Sequence, residues 1–456
     1  MNTQLTRRHF LGTSATAVIV AGMKAQGTVV GASNRLRVCV IGLNGRGGAH
    51  MKEFTALGKD VHVAALCDVD SNVLARGAKT VEAAQGSAPR LFRDMREVFA
   101  SKEIDAVSIA TPNHWHSLAS IWACQAGKDV YVEKPMSHNI WEGRQVVAAA
   151  EKYSRIVQHG TQSRSNTTLI RDMKLIHDGF IGKIVESRGY VYKNGNRGSI
   201  GHGAPGAVPA NLDWNLWQGP AAEQAFLAKT GKPAKSQPGL WVHYDWHYNW
   251  EYGNGEIGNQ GVHQMDIACW GHNRGLPISV HSAGGRFGLD DAGQTPNTQS
   301  TTFSYADGSI LTFQVRNLGS FQEMDGGDCG NSFFGTKGLY VVGKGFFSYK
   351  QGKASEREAI PVPGDSGKPA KESPFGRFVG AVRSRKASDM PMSVLDAHIG
   401  CAHCHLGNIA FRLGRSLAFD PKTERFKDEA ANRYLSRDYR KGFEVPRLAG
   451  PVIAKA

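Results

Sequence analysis

The amino-acid sequence predicts a doubly wound α/β Rossmann domain followed by a strand-rich α+β domain. Repeated strand–helix units with continuous apolar strands, between residues 35 and 159, indicate a parallel sheet covered by helices on both faces. A glycine-rich turn directly after the first strand is typical of dinucleotide-binding domains. The length of 456 residues is sufficient for two hydrophobic cores.

Five strands and four helices are predicted in the first domain. The strands are LRVCVIG, VHVAALCD, IDAVSIATP, DVYVEKP and RIVQHG, and the helices between them are RGGAHMKEFTALG, SNVLARGAKTVEAA, HSLASIWACQAG and NIWEGRQVVAAAEKY. In the second half, GKIVESRGYVYK and TTFSYADGSILTFQVRN predict strands, with a hairpin at Asp307-Gly308. SPFGRFVGAVRSR and VLDAHIGCAHCHLGNIAFRLGR predict helices.

Residues 1–33 are predicted to be an export signal of the twin-arginine type. Arg7 and Arg8 precede the apolar stretch ATAVIVAG, which is too short to cross a bilayer as a helix. The alternative is an incidental arginine pair ahead of a helix, but the position and spacing favour the signal. The mature chain then starts near Ser33 and is periplasmic or otherwise exported, and no membrane contact beyond export is expected.

The charge and the cysteines argue against several other classes of protein. The formal net charge is +14, but the basic residues are scattered, so no nucleic-acid partner is expected. Most of the seven cysteines are expected to be buried thiols, since several lie inside apolar runs. Cys401-Ala-His-Cys404-His405 matches a covalent haem motif, but it lies inside a predicted amphipathic helix, so neither haem nor a metal site is predicted.

The first strand-to-helix turn, GLNGRGGAH, is close to the dinucleotide fingerprint. The helix N-terminus would hold the pyrophosphate, although Asn44 occupies the position of the second glycine. Asp68 ends the second strand, 26 residues after Gly42, where an acid binds the ribose hydroxyls. Because a carboxylate would repel a 2′-phosphate, NAD is favoured over NADP. The alternative role of Asp68, capping the next helix, does not account for the glycine-rich turn, and Asp70 or Ser71 could provide the cap.

Two further strand ends carry sequence motifs, ATPNHWH at residues 110–116 and YVEKP at residues 131–135. Together with the glycine-rich turn, these motifs resemble those of the Gfo/Idh/MocA family. The resemblance implies that the second domain is built on a large, open, mostly antiparallel sheet. It also implies domains at 34–157 (NAD-binding) and 158–430 (substrate and oligomerisation), with a C-terminal tail at 431–456. Because the open sheet of this family often forms subunit interfaces, a homo-oligomer is expected.

The dinucleotide fingerprint, the aromatic run and the resemblance together indicate which residues contact the cofactor and the substrate. Lys134 would lie beside the nicotinamide and contact the reacting hydroxyl, and a partly desolvated lysine can relay a proton. The expected cofactor-binding residues are Gly42, Asn44, Gly45, Arg46, Gly47, Asp68, Thr111, Pro112, Asn113, His116, Glu133 and Lys134. The expected substrate-binding residues are Gln162, Trp241, His243, His247, Asn259 and His263.

The stretch GNGEIGNQGVHQMD resembles the family pattern that contains the catalytic histidine. Alignment on Gly261-Val262-His263 makes His263 that histidine, and the usual aspartate position falls on Asn259. Asp266 would lie on the same helical face as His263; it either orients the imidazole or is an ordinary surface residue.

The aromatic run from Trp241 to Tyr252 is interpreted as a strand that forms one wall of a sugar-binding cleft. With alternation, Trp241, His243, Asp245, His247 and Asn249 would share the cleft face, and the intervening aromatic residues would share the core face. The alternative is that both sets pack internally or form a subunit interface.

These residues lead to three hypotheses about function. The first is an NAD-dependent oxidoreductase that acts on a sugar or cyclitol hydroxyl with a tightly bound cofactor, using Lys134 and His263. The second is an NAD-dependent glycoside hydrolase or lyase that works by transient oxidation, which the Asn at position 259 and the exported location favour. The third is a non-catalytic binding protein with the same fold.

Overall fold

The fold was analysed in a computed structural model, which describes residues 34–193, 199–230, 238–318, 327–349, 357–363 and 373–448. The predicted export signal at residues 1–33 lies outside these residues. Within the described part of the chain, no helix is both long and apolar enough to span a membrane.

The N-terminal half forms a six-stranded parallel sheet in the order β3-β2-β1-β4-β5-β6. The strands are β1 (Leu36–Ile41), β2 (Val61–Cys67), β3 (Arg90–Phe92), β4 (Ala106–Ile109), β5 (Asp129–Val132) and β6 (Val157–His159). The helices are α1 (Arg46–Ala56), α2 (Ser71–Gln85), α3 (Met95–Ala100), α4 (Asn113–Gln125) and α5 (Ile140–Lys152). This strand order is that of the Rossmann fold, which confirms the predicted first domain. Strand β3 and helix α3 were not predicted, because three and six residues are too few to show a periodic pattern.

The second half forms a ten-stranded sheet in the order β16-β15-β14-β13-β7-β12-β11-β10-β17-β18. Its strands are β7 (Ile184–Tyr192), β10 (Ser279–Gly285), β11 (Thr298–Ser304), β12 (Ile310–Arg316), β13 (Cys329–Gly335), β14 (Gly338–Val341), β15 (Gly345–Tyr349), β16 (Arg357–Ile360), β17 (Leu417–Asp420) and β18 (Arg425–Phe426). A separate pair is formed by β8 (His202–Pro205) and β9 (Leu227–Thr230). The pair β7–β12 is parallel and the other neighbours in the large sheet are antiparallel, as the resemblance implied.

Helices of the second half connect the two sheets. They are α6 (Thr167–His177), α7 (Trp214–Gln218), α8 (Gly255–Gly258), α9 (Gly261–His272), α10 (Pro374–Ser384), α11 (Val394–Leu413) and α12 (Glu429–Asn432), and 3₁₀ turns span Gln162–Ser165, Asp245–Tyr248 and Ala387–Asp389. Helix α9 packs on β7, and α11 packs on α5, α9 and β10. The long helix α11 starts at a capping box, Ser393 with Asp396, and stops at Gly414 in the left-handed conformation.

Two segments beyond residue 373 pack against the first domain. Phe375 of α10 stacks on Tyr131 of β5, with ring centroids 4.5 Å apart. Phe443 lies edge-on to Trp115 of α4, with centroids 5.6 Å apart, and is buried. The described part of the expected tail is therefore packed against the Rossmann domain, while the domain limits at 157 and 430 stay predictions.

The cysteine–histidine motif on α11 is an internal packing element. All seven cysteines lie in described ranges and are free, and five of them, including Cys401 and Cys404, are buried. The Cys401 sulfur accepts a hydrogen bond from the Met136 N–H at 3.3 Å, and His405 Nε2 lies 3.1 Å from the Ser137 hydroxyl. The motif therefore packs against the segment that follows β5 and forms hydrogen bonds with it.

The prediction of an alternating strand over Trp241–Asn249 is wrong. The segment consists of turns and the 3₁₀ turn Asp245–Tyr248, held by local backbone hydrogen bonds from the Trp246 N–H to the Trp241 carbonyl and from the His247 N–H to the Tyr244 carbonyl. His243 has φ of 76°, a left-handed conformation that is incompatible with a strand. The proposed separation into a cleft face and a core face therefore does not exist.

Candidate active site

An open cleft lies at the carboxyl ends of the first-sheet strands. It is formed where the strand order reverses, between the turn after β1 and the turn after β4, the position where open α/β sheets bind ligands. Expected cofactor residues that line the cleft are Gly42, Asn44, Gly45, Arg46, Asp68, Thr111, Pro112, Asn113, His116, Glu133 and Lys134. The topology thus brings together residues that are separated by up to 92 positions in the sequence.

The glycine-rich turn has the close backbone packing that a dinucleotide cradle requires. A Cβ on Gly47 would lie 1.9 Å from the Gly42 carbonyl oxygen, and a Cβ on Gly42 would lie 2.7 Å from the Thr111 nitrogen. Gly45, with φ of 61°, precedes α1 and has open space around it. The turn therefore brings the N-terminus of α1 to the cleft, with open space at Gly45, which fits a pyrophosphate.

The Asp68 carboxylate is fixed at the same edge. It accepts hydrogen bonds from the Leu43 N–H at 2.8 Å and the Asp70 N–H at 2.9 Å. Burial raises the pKa of Asp68 to about 6, against the opposing effect of these two N–H donors. The capping role belongs to Asp70, whose side chain accepts from the N–H groups of Asn72 and Val73. Asp68 is therefore available to a ribose.

Two side chains of α1, the helix that follows the glycine-rich turn, hold the Glu133 carboxylate in place. Arg46 Nε donates to Glu133 Oε1 at 2.8 Å, and His50 Nε2 lies 3.0 Å from the same oxygen. Burial raises the pKa of Glu133, but the His50 hydrogen bond and the charges of His50 and Arg46 outweigh it and hold the pKa well below its usual value. Glu133 therefore remains ionised and joins α1 to the end of β5.

The turn after β4 offers polar atoms that are free to bind a ligand. Thr111 Oγ1 and Asn113 Oδ1 are buried and have no hydrogen-bond partner among the described residues. His116 lies between two backbone carbonyls, 2.7 Å from Thr111 O and 2.6 Å from Pro135 O. His116 therefore ties this turn to the Lys134-Pro135 segment, and the two unpartnered oxygens fit a cofactor that supplies hydroxyl or amide donors.

Lys134 extends towards the second domain. Its Nζ donates to the Asn259 carbonyl at 3.0 Å and to Asn259 Oδ1 at 3.3 Å. Asn259 Nδ2 in turn donates to Glu256 Oε2 at 3.3 Å, and Glu256 is buried. The amide at the position of the family aspartate therefore connects the lysine to a carboxylate one helical turn earlier.

His263 lies in the first turn of α9 and is half-buried. Burial and the positive charge of Lys134 lower the pKa of His263 to about 3. Asp266 does not serve as its orienting partner or lie on the surface. Its carboxylate forms a buried two-point ion pair with Arg164, at 2.8 and 2.9 Å. The imidazole is therefore neutral at neutral pH.

Some of the expected substrate residues line the cleft, and others are buried in the protein. His243 and His247 line the cleft, together with Tyr244 and Trp246, whereas Trp241 is buried in an apolar cluster with Phe226 and Leu240. Gln162 Nε2 lies 3.5 Å from Glu133 Oε1, next to the lysine end of the cleft. Gly47 is buried beneath the turn.

Sequence reasoning missed three residues that shape this site: His50, His159 and Arg164. The spacing of Arg46 and His50, one helical turn apart in the fingerprint helix, would have indicated a shared partner. His159 ends β6, and burial lowers its pKa to about 3. No pattern in the sequence indicated the pairing of Arg164 with Asp266, which are 102 residues apart.

The fold and the cleft define a two-domain dinucleotide-binding protein, and family models specify it further. Residues 36–161 match the NAD-binding Rossmann fold of the Gfo/Idh/MocA oxidoreductase family. Residues 230–341 and 349–445 match two C-terminal domain models of the same family. The chain thus carries Gfo/Idh/MocA oxidoreductase domains, and NAD is the cofactor of the first.

Curated relatives include glycosyl hydrolase family 109 proteins. The protein from Shewanella pealeana is 27% identical over 218 residues, which cover 42% of this chain and 47% of the relative. The protein from Saccharopolyspora erythraea is 28% identical over 173 residues, 37% of each chain. The matched region thus spans less than half the length of these relatives.

Solved structures share the fold across most of the chain. The WlbA dehydrogenase from Bordetella pertussis, in complex with NADH and UDP-GlcNAcA, has a TM-score of 0.62 and 20% identity, covering 85% of this chain and 99% of that chain. Levoglucosan dehydrogenase in complex with NADH has a TM-score of 0.59 and 17% identity, covering 84% and 98%.

Proposed function

We propose that the protein is an NAD-dependent oxidoreductase that transfers hydride between a CH–OH group of a sugar or cyclitol and tightly bound NAD. The observation that carries the proposal is the position of Lys134, which lines the cofactor cleft and reaches across it to Asn259, near a neutral His263. One structural neighbour is in complex with UDP-GlcNAcA and another is named levoglucosan dehydrogenase, and both names support this substrate class.

Removal of a hydride from a carbinol carbon requires that the hydroxyl proton leave as well. NAD, when bound, supplies the hydride acceptor. His263 is neutral and therefore able to take the proton, and the Lys134 ammonium stabilises the negative charge that develops on the oxygen. Asn259 orients the ammonium through its two oxygens, at 3.0 and 3.3 Å.

The experiment mixes the purified protein with single sugars and cyclitols and follows the near-ultraviolet absorbance of bound NADH. Absorbance that rises on addition of an alcohol, and turnover when an electron acceptor is added, would support the oxidoreductase. Lys134→Ala should abolish the rise. Absence of any response from an extended panel, with NAD bound, would contradict the proposal.

A redox-neutral glycoside hydrolase or lyase is the second candidate, favoured by the family 109 relatives. Transient oxidation of one hydroxyl, with the hydride transferred to bound NAD, would acidify the neighbouring C–H and permit elimination of the glycosidic group. In a hydrolase, water would then add across the resulting double bond and protonate the neighbouring carbon. Return of the hydride to the carbonyl would restore the alcohol. This route predicts cleavage of an aryl glycoside with no net change in NADH absorbance. It also predicts incorporation of solvent deuterium at the neighbouring carbon, which simple oxidation does not.

We also propose export by the twin-arginine route and assembly into a homo-oligomer. Export of a folded chain would carry its NAD with it, which matches an enzyme that regenerates the cofactor in place. Arg7→Lys combined with Arg8→Lys should retain the protein in the cytoplasm, measured by cell fractionation. Light scattering of the mature protein tests the oligomer.

A further inference from the structure

The segment Trp241–Tyr248 is here called the aromatic strap. Its contacts indicate a role in cofactor binding, which differs from the predicted role as one wall of a sugar-binding cleft. We propose that the strap belongs to the cofactor site, where it closes over the adenosine half of bound NAD and slows NAD release. The proposal rests on the use of NAD stated above. It concerns residues outside the dinucleotide fingerprint.

The strap is attached to the Rossmann domain beside the ribose acid. His243 Nε2 lies 3.0 Å from Asp70 Oδ2, and both side chains are largely buried. Asp70 caps α2 and follows Asp68 by two residues. Since an acid at the end of the second strand binds the ribose of the adenosine, the attachment lies at the adenosine end of the cleft.

A second segment of the second domain, residues 211–213, is attached to the Rossmann domain at the turn that contains Asp70. Asn211 Nδ2 donates to Asp70 Oδ1 at 2.8 Å, the Ser71 N–H donates to the Asn211 carbonyl at 2.9 Å, and the Asp213 N–H donates to the Val69 carbonyl at 3.0 Å. The Asp70 carboxylate thus holds two separate segments from the second domain. The closed position of the strap is specified by hydrogen bonds and does not depend on apolar contact alone.

The shape of the strap presents aromatic rings to the cleft. Trp241, Val242 and Trp246 anchor it in the apolar cluster, the chain turns at the left-handed His243, and the Tyr244 side chain that follows is exposed. Tyr244, Trp246 and His247 then line the same cleft as Val69, Arg93 and Met95. Adenine is a flat aromatic ring that packs well on such side chains. Release of NAD would require the strap to move, which breaks the contact between His243 and Asp70.

The test measures the rate at which the purified full chain loses NAD(H) to a large excess of buffer, with released cofactor quantified over time. His243→Asn tolerates the left-handed backbone but is too short to reach Asp70. It should release NAD about tenfold faster than the unchanged protein, the effect of losing one buried charged hydrogen bond. His202→Asn is the matched control, because His202 is exposed and is not among the residues that line the cleft. Its release rate should be unchanged.

A second variant covers the case in which His243→Asn does not fold. Asp70→Asn retains a helix-capping side chain but removes the negative charge that His243 contacts. It should also accelerate release about tenfold. Equal release rates in the unchanged protein and the folded variants would overturn the strap proposal while leaving NAD use intact. An unchanged protein that contains no NAD and does not take it up would overturn the proposed function as well.

Discussion

The Lys134 ammonium donates to both oxygens of Asn259, the backbone carbonyl at 3.0 Å and Oδ1 at 3.3 Å. The side-chain nitrogen of Asn259 donates to Glu256. The amide therefore lies between a cation, which its oxygen accepts from, and a carboxylate, which its nitrogen donates to. An aspartate at this position would face Glu256 with a like charge. The arrangement gives a physical reason for Asn at a position where the family pattern has an acid.

Lys134→Ala should lower kcat by about 10²- to 10⁴-fold, because the oxygen of the substrate loses its cationic partner. The NAD content should fall much less than turnover, since the glycine-rich turn and Asp68 still bind the dinucleotide. Turnover and released NAD are measured on the same sample. Lys174→Ala, at an exposed lysine on α6, is the control and should change neither. A Lys134→Ala protein with normal turnover would exclude this active site.

Asn259→Asp should destabilise the protein by about 1–3 kcal/mol, because a buried carboxylate then faces Glu256 and loses the donated hydrogen bond. Urea unfolding gives the free energy directly. Adding Glu256→Gln should restore most of the stability, since Gln can donate to the new Asp. If Asn259→Asp alone were fully stable, the contact with Glu256 would not matter for folding.

Cofactor affinity should depend on pH through Asp68. Burial raises its pKa to about 6, so the carboxylate is charged above pH 6 and protonated below it. The affinity of cofactor-stripped protein for NAD should therefore fall about tenfold between pH 7.5 and pH 5, one unit below the pKa. Asp68→Asn should bind weakly at both values, measured by titration calorimetry. A pH-dependent Asp68→Asn variant would place the titrating group elsewhere.

Asp266→Asn should cost about 3–5 kcal/mol of stability, because it leaves the buried Arg164 guanidinium without its ion-pair partner. The free energy of unfolding in urea measures this loss. The double variant Arg164→Met with Asp266→Leu should recover much of it. An Asp266→Asn protein as stable as the unchanged protein would show that the ion pair with Arg164 does not contribute to folding.

The sequence was sufficient to predict the parts of the molecule that follow local rules. The apolar strands and the glycine-rich turn predicted the Rossmann sheet and Asp68, and the resemblance led to the role of Lys134 and to the large, mostly antiparallel sheet. The role of the aromatic run was not predictable in this way. Its shape depends on a left-handed His243 and on Asp70, which lies 173 residues away. The pairing of Arg164 with Asp266 depends in the same way on tertiary contact, which periodicity does not encode.

The most direct test of the central claim is the quantity of cofactor in the mature protein, purified without added nucleotide and then denatured. The account predicts about one NAD(H) per chain, with little NADP(H), because Asp68 disfavours a 2′-phosphate and the aromatic strap retains the dinucleotide. Protein that contains no nicotinamide cofactor and binds none on addition would contradict the account. The non-catalytic binding protein would then be the better interpretation of this fold.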